Sequence, residues 1–297
     1  MKKYLPHIDL LTLAASVVGI LLRFWLSAVG VDEKGLYPAN HISWILLILL
    51  TAALLIALFL LASHAGKNRF YNDNYAASLT GAVGYAAGAA GLVIASVRHF
   101  LTRGIKLYNV AGVVGLLAAA AMVLGGWCRY KGKKPHFLVF ALPCAYFGVR
   151  LFCMGHAWGD EPELCRFLIA FFATAACMLA SYQLWAFSVD LGKRTSGLLW
   201  SLMAVYLCLV SVPGDGDAVF YLTMALWLFW NLCPKACPVH QTAPVEIPVE
   251  APAEVPAEAP AEPTAPEDAA PAADPLLDAE IEAIIAQIRQ QTEDLKE

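Results

Sequence analysis

No aspartate or glutamate falls in the middle of any long apolar stretch of this chain. The carboxylate that proton- or sodium-coupled pathways place inside a membrane is therefore missing. Catalytic signatures are missing as well, with no H-E-x-x-H, no G-x-S-x-G and no glycine-rich phosphate loop. Intramembrane proteolysis needs paired aspartates, or a serine with a histidine, inside neighbouring apolar blocks, and Ser181 and Ser201 have no such partner. His156, Asp160, Glu161 and Glu163 read as a solvated loop rather than an acid–base cluster. These absences point away from an enzyme and call for no cofactor. Charge is scarce throughout, at 15% of residues against 59% hydrophobic, which is too apolar for an ordinary soluble domain.

What the chain does have is apolar sequence in membrane-length blocks. About 20 mostly apolar residues span roughly 30 Å of hydrocarbon as a helix. Such blocks fall at residues 8–30, 42–62, 77–97, 108–127, 136–156, 165–187, 196–213 and 217–233. Only VPGDGD separates the last two, and its proline, glycines and aspartates predict a tight turn over one continuous helix. The expectation is an all-α, polytopic bundle of eight spans over residues 1–240, or seven if that turn fails. The first block follows Lys2 and Lys3 as a signal peptide would, but its apolar run is longer than a signal core, which predicts retention as a span.

Basic residues set the expected orientation. With the N-terminus inside, the cytoplasmic segments hold Lys2, Lys3, Lys67, Arg69, Arg129, Lys131, Lys133, Lys134, Lys193, Arg194 and Lys235. The opposite side holds Lys34, Arg98, Arg103, Lys106 and Arg166. The RYKGKK run is the strongest single vote, and an even number of spans returns the C-terminus to the cytoplasm. The implied location is a bacterial inner or cell membrane.

LLRFWLSAVGVDEKG in the first block and GVRLFCMGHAWGDEPE in the fifth share an arginine, neighbouring aromatics and a later Asp-Glu pair. This faint likeness is compatible with a four-plus-four duplication and equally with the usual composition of membrane borders. In the third block Gly81, Gly84, Gly88 and Gly91 lie among alanines, and Gly112 and Gly115 follow in the fourth. Such spacing lets helix backbones approach closely and predicts a packed bundle centre.

Arg23 and Arg150 stand out as ionised side chains inside apolar runs, each in the outer half of the bilayer at about 1.5 Å per residue. One reading has both bind an anion, a carboxylate or a phosphate headgroup, by bidentate contacts. In the other they snorkel to the interface, or pair with Asp32/Glu33 and Asp160/Glu161. Cys144, Cys177 and Cys208 read as small packing residues. Cys153 and Cys165 flank an outer loop, where an oxidising compartment would permit a disulfide. Cys233, Cys237 and His240, with Cys128 or His136, are a weak zinc set because paired C-x-x-C knuckles are lacking.

After His240 the character changes. Residues 241–297 hold fourteen acids against Arg289 and Lys296, while residues 1–240 carry a net charge of about +8. Proline every few residues and mutual repulsion predict an extended, disordered linker over 241–274. Its charge disfavours nucleic acid. Residues 275–297 predict an amphipathic helix, with Leu277, Ile281, Ile284, Ile288 and Leu295 on one face. A helix of that length is marginal alone in water, so its stripe predicts a partner: a cytosolic protein or a second copy. The functional expectation is a non-enzymatic membrane anchor or sensor presenting this docking helix. The alternative is a solute facilitator or lipid-binding transporter with its anion site at Arg23 and Arg150.

Overall fold

A computed structural model describes residues 7–29, 41–65, 69–75, 77–101, 106–158, 164–213 and 216–236. Among them every regular element is a helix: α1 (Ile8–Val29), α2 (Ile42–Ser63), α3 (Tyr71–Asn74), α4 (Leu79–Leu101), α5 (Lys106–Lys131), α6 (Leu138–Trp158), α7 (Leu164–Ser188), α8 (Arg194–Ser211) and α9 (Ala218–Ala236). The eight long helices coincide with the eight apolar blocks. Seven are long and apolar enough to cross a bilayer, and α9 keeps a shorter apolar portion, Ala218–Leu232. Hydrocarbon offers no hydrogen bonds, so such sequence must satisfy its backbone internally, and a helix does this within one segment. α8 and α9 are separate helices packed against each other, as the proline and glycines between them predict. Pro143 lies inside α6 without ending it.

Six helices form a closed cycle of neighbours, in which α4 packs on α5, α5 on α6, α6 on α7, α7 on α8, α8 on α9 and α9 back on α4. α1 and α2 pack on each other and on α8 from outside the cycle. α8 is consequently the most enclosed span, with 72% of its apolar window buried against 22% for α2. Much of α2, including Ile45, Ile48, Leu49, Ile56 and Phe59, is exposed where a bilayer would supply lipid. These adjacencies do not repeat between the two halves. α7 packs along α8, whereas their counterparts under a four-plus-four scheme, α2 and α4, have no comparable contact. The paired arginine motifs of α1 and α6 thus mark similar depths without making the halves equivalent.

Buried aromatics, among them Tyr85, Phe140, Tyr146, Phe147, Phe220, Tyr221 and Trp227, fill much of the space between the six helices. The glycine stripe of α4 admits this bulk. A Cβ at Gly84 would come within 3.1 Å of Trp230 Cβ, and one at Gly88 within 3.0 Å of Trp227 Cβ. The close-packing reading of the stripe is what the structure displays.

Two helices end in the same way at one end of the bundle. Gly132 (φ 66°) and Asp190 (φ 59°) adopt left-handed backbone just past α5 and α7. The following amides, of Lys133 and Leu191, reach back to the carbonyls of Cys128 (2.9 Å) and Ala186 (2.9 Å). This closure satisfies carbonyls that a helix end leaves open. Glycine takes that conformation without strain; Asp190 is held in it while its carboxylate accepts from the Tyr71 amide and pairs with Lys134.

Cys177 on α7 and Cys208 on α8 are fully buried with sulfurs 3.4 Å apart. Treatment of membranes with a permeant thiol oxidant is expected to join them in the unaltered chain, so that both escape alkylation after denaturation. Cys208→Ser should leave Cys177 open to the reagent. Full alkylation of both cysteines after oxidation would contradict the α7–α8 register.

Candidate functional site

Charged and polar side chains gather at both ends of the bundle. At the end away from Asp190 and Lys134, Arg23 and Arg150 are both buried, at 3% exposure each, within about the last two turns of α1 and α6. Both reach the connection between α8 and α9. Arg23 Nε donates to the Pro213 carbonyl at 3.4 Å, and Arg150 Nη2 donates to Asp217 Oδ2 at 2.7 Å. Arg98, from the last turn of α4, pairs with the other oxygen of Asp217 and also donates to the Gly216 carbonyl. Arg150 in addition lies over the Phe220 ring, 4.1 Å from its centre, a placement that stabilises a desolvated cation. The two sequence-selected arginines therefore meet one short turn, fastening helices α1 and α6 to it while Arg98 adds α4.

The carboxylate that Arg150 meets is Asp217, 67 residues along the chain. Asp160 and Glu161, and likewise Asp32 and Glu33, lie outside the described residues. Burial alone would raise the Asp217 pKa, but Arg150 foremost, then Arg98 and His99, outweigh it and hold the carboxyl below its ordinary 3.8. A folded value below the unfolded one means stabilisation that is present above about pH 4 and lost as pH falls through the folded value. The unfolding midpoint of the wild type should therefore drop on acidification below pH 3.8, the ordinary value. Asp217→Asn should start lower and vary less with pH there. Parallel curves for the two proteins would show that Asp217 carries no such linkage.

The opposite end holds a site that the sequence does not announce. Arg129, in the last turn of α5, belongs by sequence to the exposed RYKGKK run. In the structure it is 1% exposed, a third buried arginine beside Arg23 and Arg150 among the described residues. A signal was present: Ala118, Met122 and Gly125 are buried on α5, and steps of four, three and four residues carry that stripe to Arg129. The Arg129 stem packs on Gly81, where a Cβ would come within 3.2 Å of its Cγ. Its guanidinium carbon lies 5.1 Å from the centre of the Tyr75 ring. Tyr75 stacks on Tyr71 at 4.9 Å, and Tyr85 packs near Trp227 at 5.9 Å. Burial pushes the Tyr71 hydroxyl up to about 12 and that of Tyr75 well above its ordinary value, with Arg129 pulling weakly the other way. Both phenols are thus neutral at physiological pH.

The remaining sequence candidates fall elsewhere. Cys153 is a free, buried thiol, and the side chain of its suggested partner, Cys165, lies outside the described residues. Cys128 is free and partly buried. The backbone of Cys233 belongs to α9, but its side chain, together with Cys237, His240 and the whole of the 241–274 linker and the 275–297 helix, lies outside the described residues. Comparison with protein-family models, curated proteins and solved structures gives no match to this chain.

Proposed function

We propose that this multi-pass membrane protein is a non-enzymatic anchor or sensor that presents a cytoplasmic C-terminal docking helix to a cytosolic protein or a second copy of the chain. The observation that carries this reading over the facilitator alternative is the use made of Arg23 and Arg150. Both are engaged with the α8–α9 connection, where Asp217 compensates Arg150. That is the geometry of a fastening rather than of a cation pair waiting for a solute. The cycle of six helices, its interior packed with aromatic rings, also suits a rigid platform. Orientation with both termini in the cytoplasm follows from the basic residues at the Arg129 end, in a bacterial inner or cell membrane.

The test compares the full chain in lipid nanodiscs with its Ile284→Asp/Ile288→Asp variant. The wild type is expected to retain a defined cytosolic protein, or to self-associate, and the variant to lose that association while its bundle unfolds at the same temperature. Equal behaviour of the two would remove the docking reading. Arg23→Gln and Arg150→Gln, assayed below their lowered unfolding temperatures, should leave docking intact. If these variants instead abolish uptake of a solute that the wild type transports, the facilitator reading replaces it.

A further inference from the structure

Arg129 presents a charge problem that the described protein does not solve. Its Nε, Nη1 and Nη2 are buried without a hydrogen-bond partner, and no carboxylate among the described residues forms an ion pair with it. Of the described acids at this end, Asp190 is engaged by Lys134 and the Tyr71 amide, and Asp9, in the first turn of α1, forms no ion pair with Arg129. The surrounding hydroxyls do not compensate either, because Tyr71 and Tyr75 are neutral. Around the guanidinium stand further buried polar atoms. The Tyr71 hydroxyl has no hydrogen-bond partner, and the Tyr85 hydroxyl lies beside the Trp227 indole, which can donate to its oxygen and leave the phenol proton free to donate. Tyr71 and Tyr85 are both within range of the Arg129 charge.

Water could satisfy those donors, but water cannot neutralise the cation. Leaving a buried ion uncompensated costs several kcal/mol, and removing a guanidinium from water without a partner is the dearest form of polar burial. The group also has the right shape for one class of ligand: a planar fork of donors matches two oxygens of a carboxylate or phosphate. The phenols of Tyr71 and Tyr85 beside it add donors of the same polarity. Together they offer an anion several hydrogen bonds and a single compensating charge, at the depth where α5 leaves the membrane.

We propose that Arg129, Tyr71 and Tyr85 form a binding site for one oxyanion, a phosphate or carboxylate group, between α3, α4 and α5 at the basic end of the bundle. The oxyanion comes either from the headgroup of an anionic lipid or from a free anion. The site lies at the opposite end of the bundle from Arg23 and Arg150.

The test is thermal unfolding of the purified, delipidated full chain. One arm adds inorganic phosphate in detergent, against chloride at matched ionic strength. The other compares nanodiscs of phosphatidylglycerol with nanodiscs of phosphatidylcholine. A ligand that binds the folded state alone raises the unfolding midpoint with concentration. The expected result is a saturable rise in at least one arm, absent in Arg129→Gln. Tyr85→Phe and Tyr71→Phe should need about tenfold more anion for the same rise, the usual order for a hydrogen bond to a charged group. A rise with phosphate identifies a free anion; a rise confined to phosphatidylglycerol identifies the lipid. Should Arg129→Gln not fold, the two tyrosine variants decide the matter. The proposal is overturned if neither arm shifts the wild type, or if the variants shift as much as the wild type does.

Discussion

Replacing Arg150 with methionine is expected to destabilise the bundle by about 3–5 kcal/mol, the range found when one partner of a buried ion pair is removed. The size follows from position. The Arg150 side chain is 4% exposed and that of Asp217 26%, so water screens the pair poorly. Removing the guanidinium leaves Asp217 with Arg98, whose side chain is 52% exposed and whose pairing is correspondingly weak. Methionine keeps much of the volume beside Phe220 but none of the cation–ring attraction. Asp217→Asn should cost a similar amount, because it strands the buried cation instead. The double variant Arg150→Met/Asp217→Asn is expected to recover part of the loss, since neither charge is then left alone. Unfolding of the four proteins in nanodiscs gives the coupling directly. Strict additivity of the two single effects would mean that the pair does not act as a unit.

The second large effect concerns α4. A leucine at Gly91 must occupy space held by Thr223, whose Cβ lies 2.9 Å from the position a Gly91 Cβ would take. One at Gly88 meets Trp227 and Met122 together. Overpacking of this kind costs about 1–3 kcal/mol and more where backbone must move, and here α9 would be pushed off α4. Both variants should unfold at lower temperature, while the Cys177–Cys208 proximity on the far side of the cycle survives. Gly155→Ala is the matched control. Nothing lies within 4 Å of a Cβ there, and exchanging glycine for alanine inside a helix favours the helix by about 1 kcal/mol. A stable Gly91→Leu protein would mean that α4 and α9 are further apart than described.

The contrast between these sites shows what sequence patterns convey. Block length gave the long helices because hydrocarbon imposes one backbone solution on any apolar run of that size. The glycines of α4 conveyed close packing for a similar reason, since small residues have one main use between membrane helices. Neither rule says which helix is the neighbour. Asp217 looked like a loop acid because its partners, Arg98 and Arg150, are more than 60 residues away. The burial of Arg129 went unread because cationic residues clustered after an apolar run normally face water, and the buried stripe of α5 had to be followed one step into that cluster to place it. The arginines of α1 and α6 were legible as lying inside apolar runs; that they are buried and share a single turn could be seen only once α8 and α9 were in place.

The position of α8 bears on how the protein is made. α1 and α2 leave the ribosome before α8, yet the surface that receives them belongs to that helix, separated from α2 by residues 64–193. At a synthesis rate of about 5–20 residues per second, the first hairpin waits on the order of ten seconds in lipid before its docking face exists. α2 is suited to that interval, since its whole circumference is apolar apart from the hydroxyls of Ser43, Thr51 and Ser63. Thr51, whose hydroxyl also bonds the carbonyl of Leu47 within its own helix, meets the Tyr206 hydroxyl of α8 at 2.9 Å only when the last third of the bundle has been inserted. Biogenesis thus runs against chain order: the earliest pair of spans is among the last to find its place.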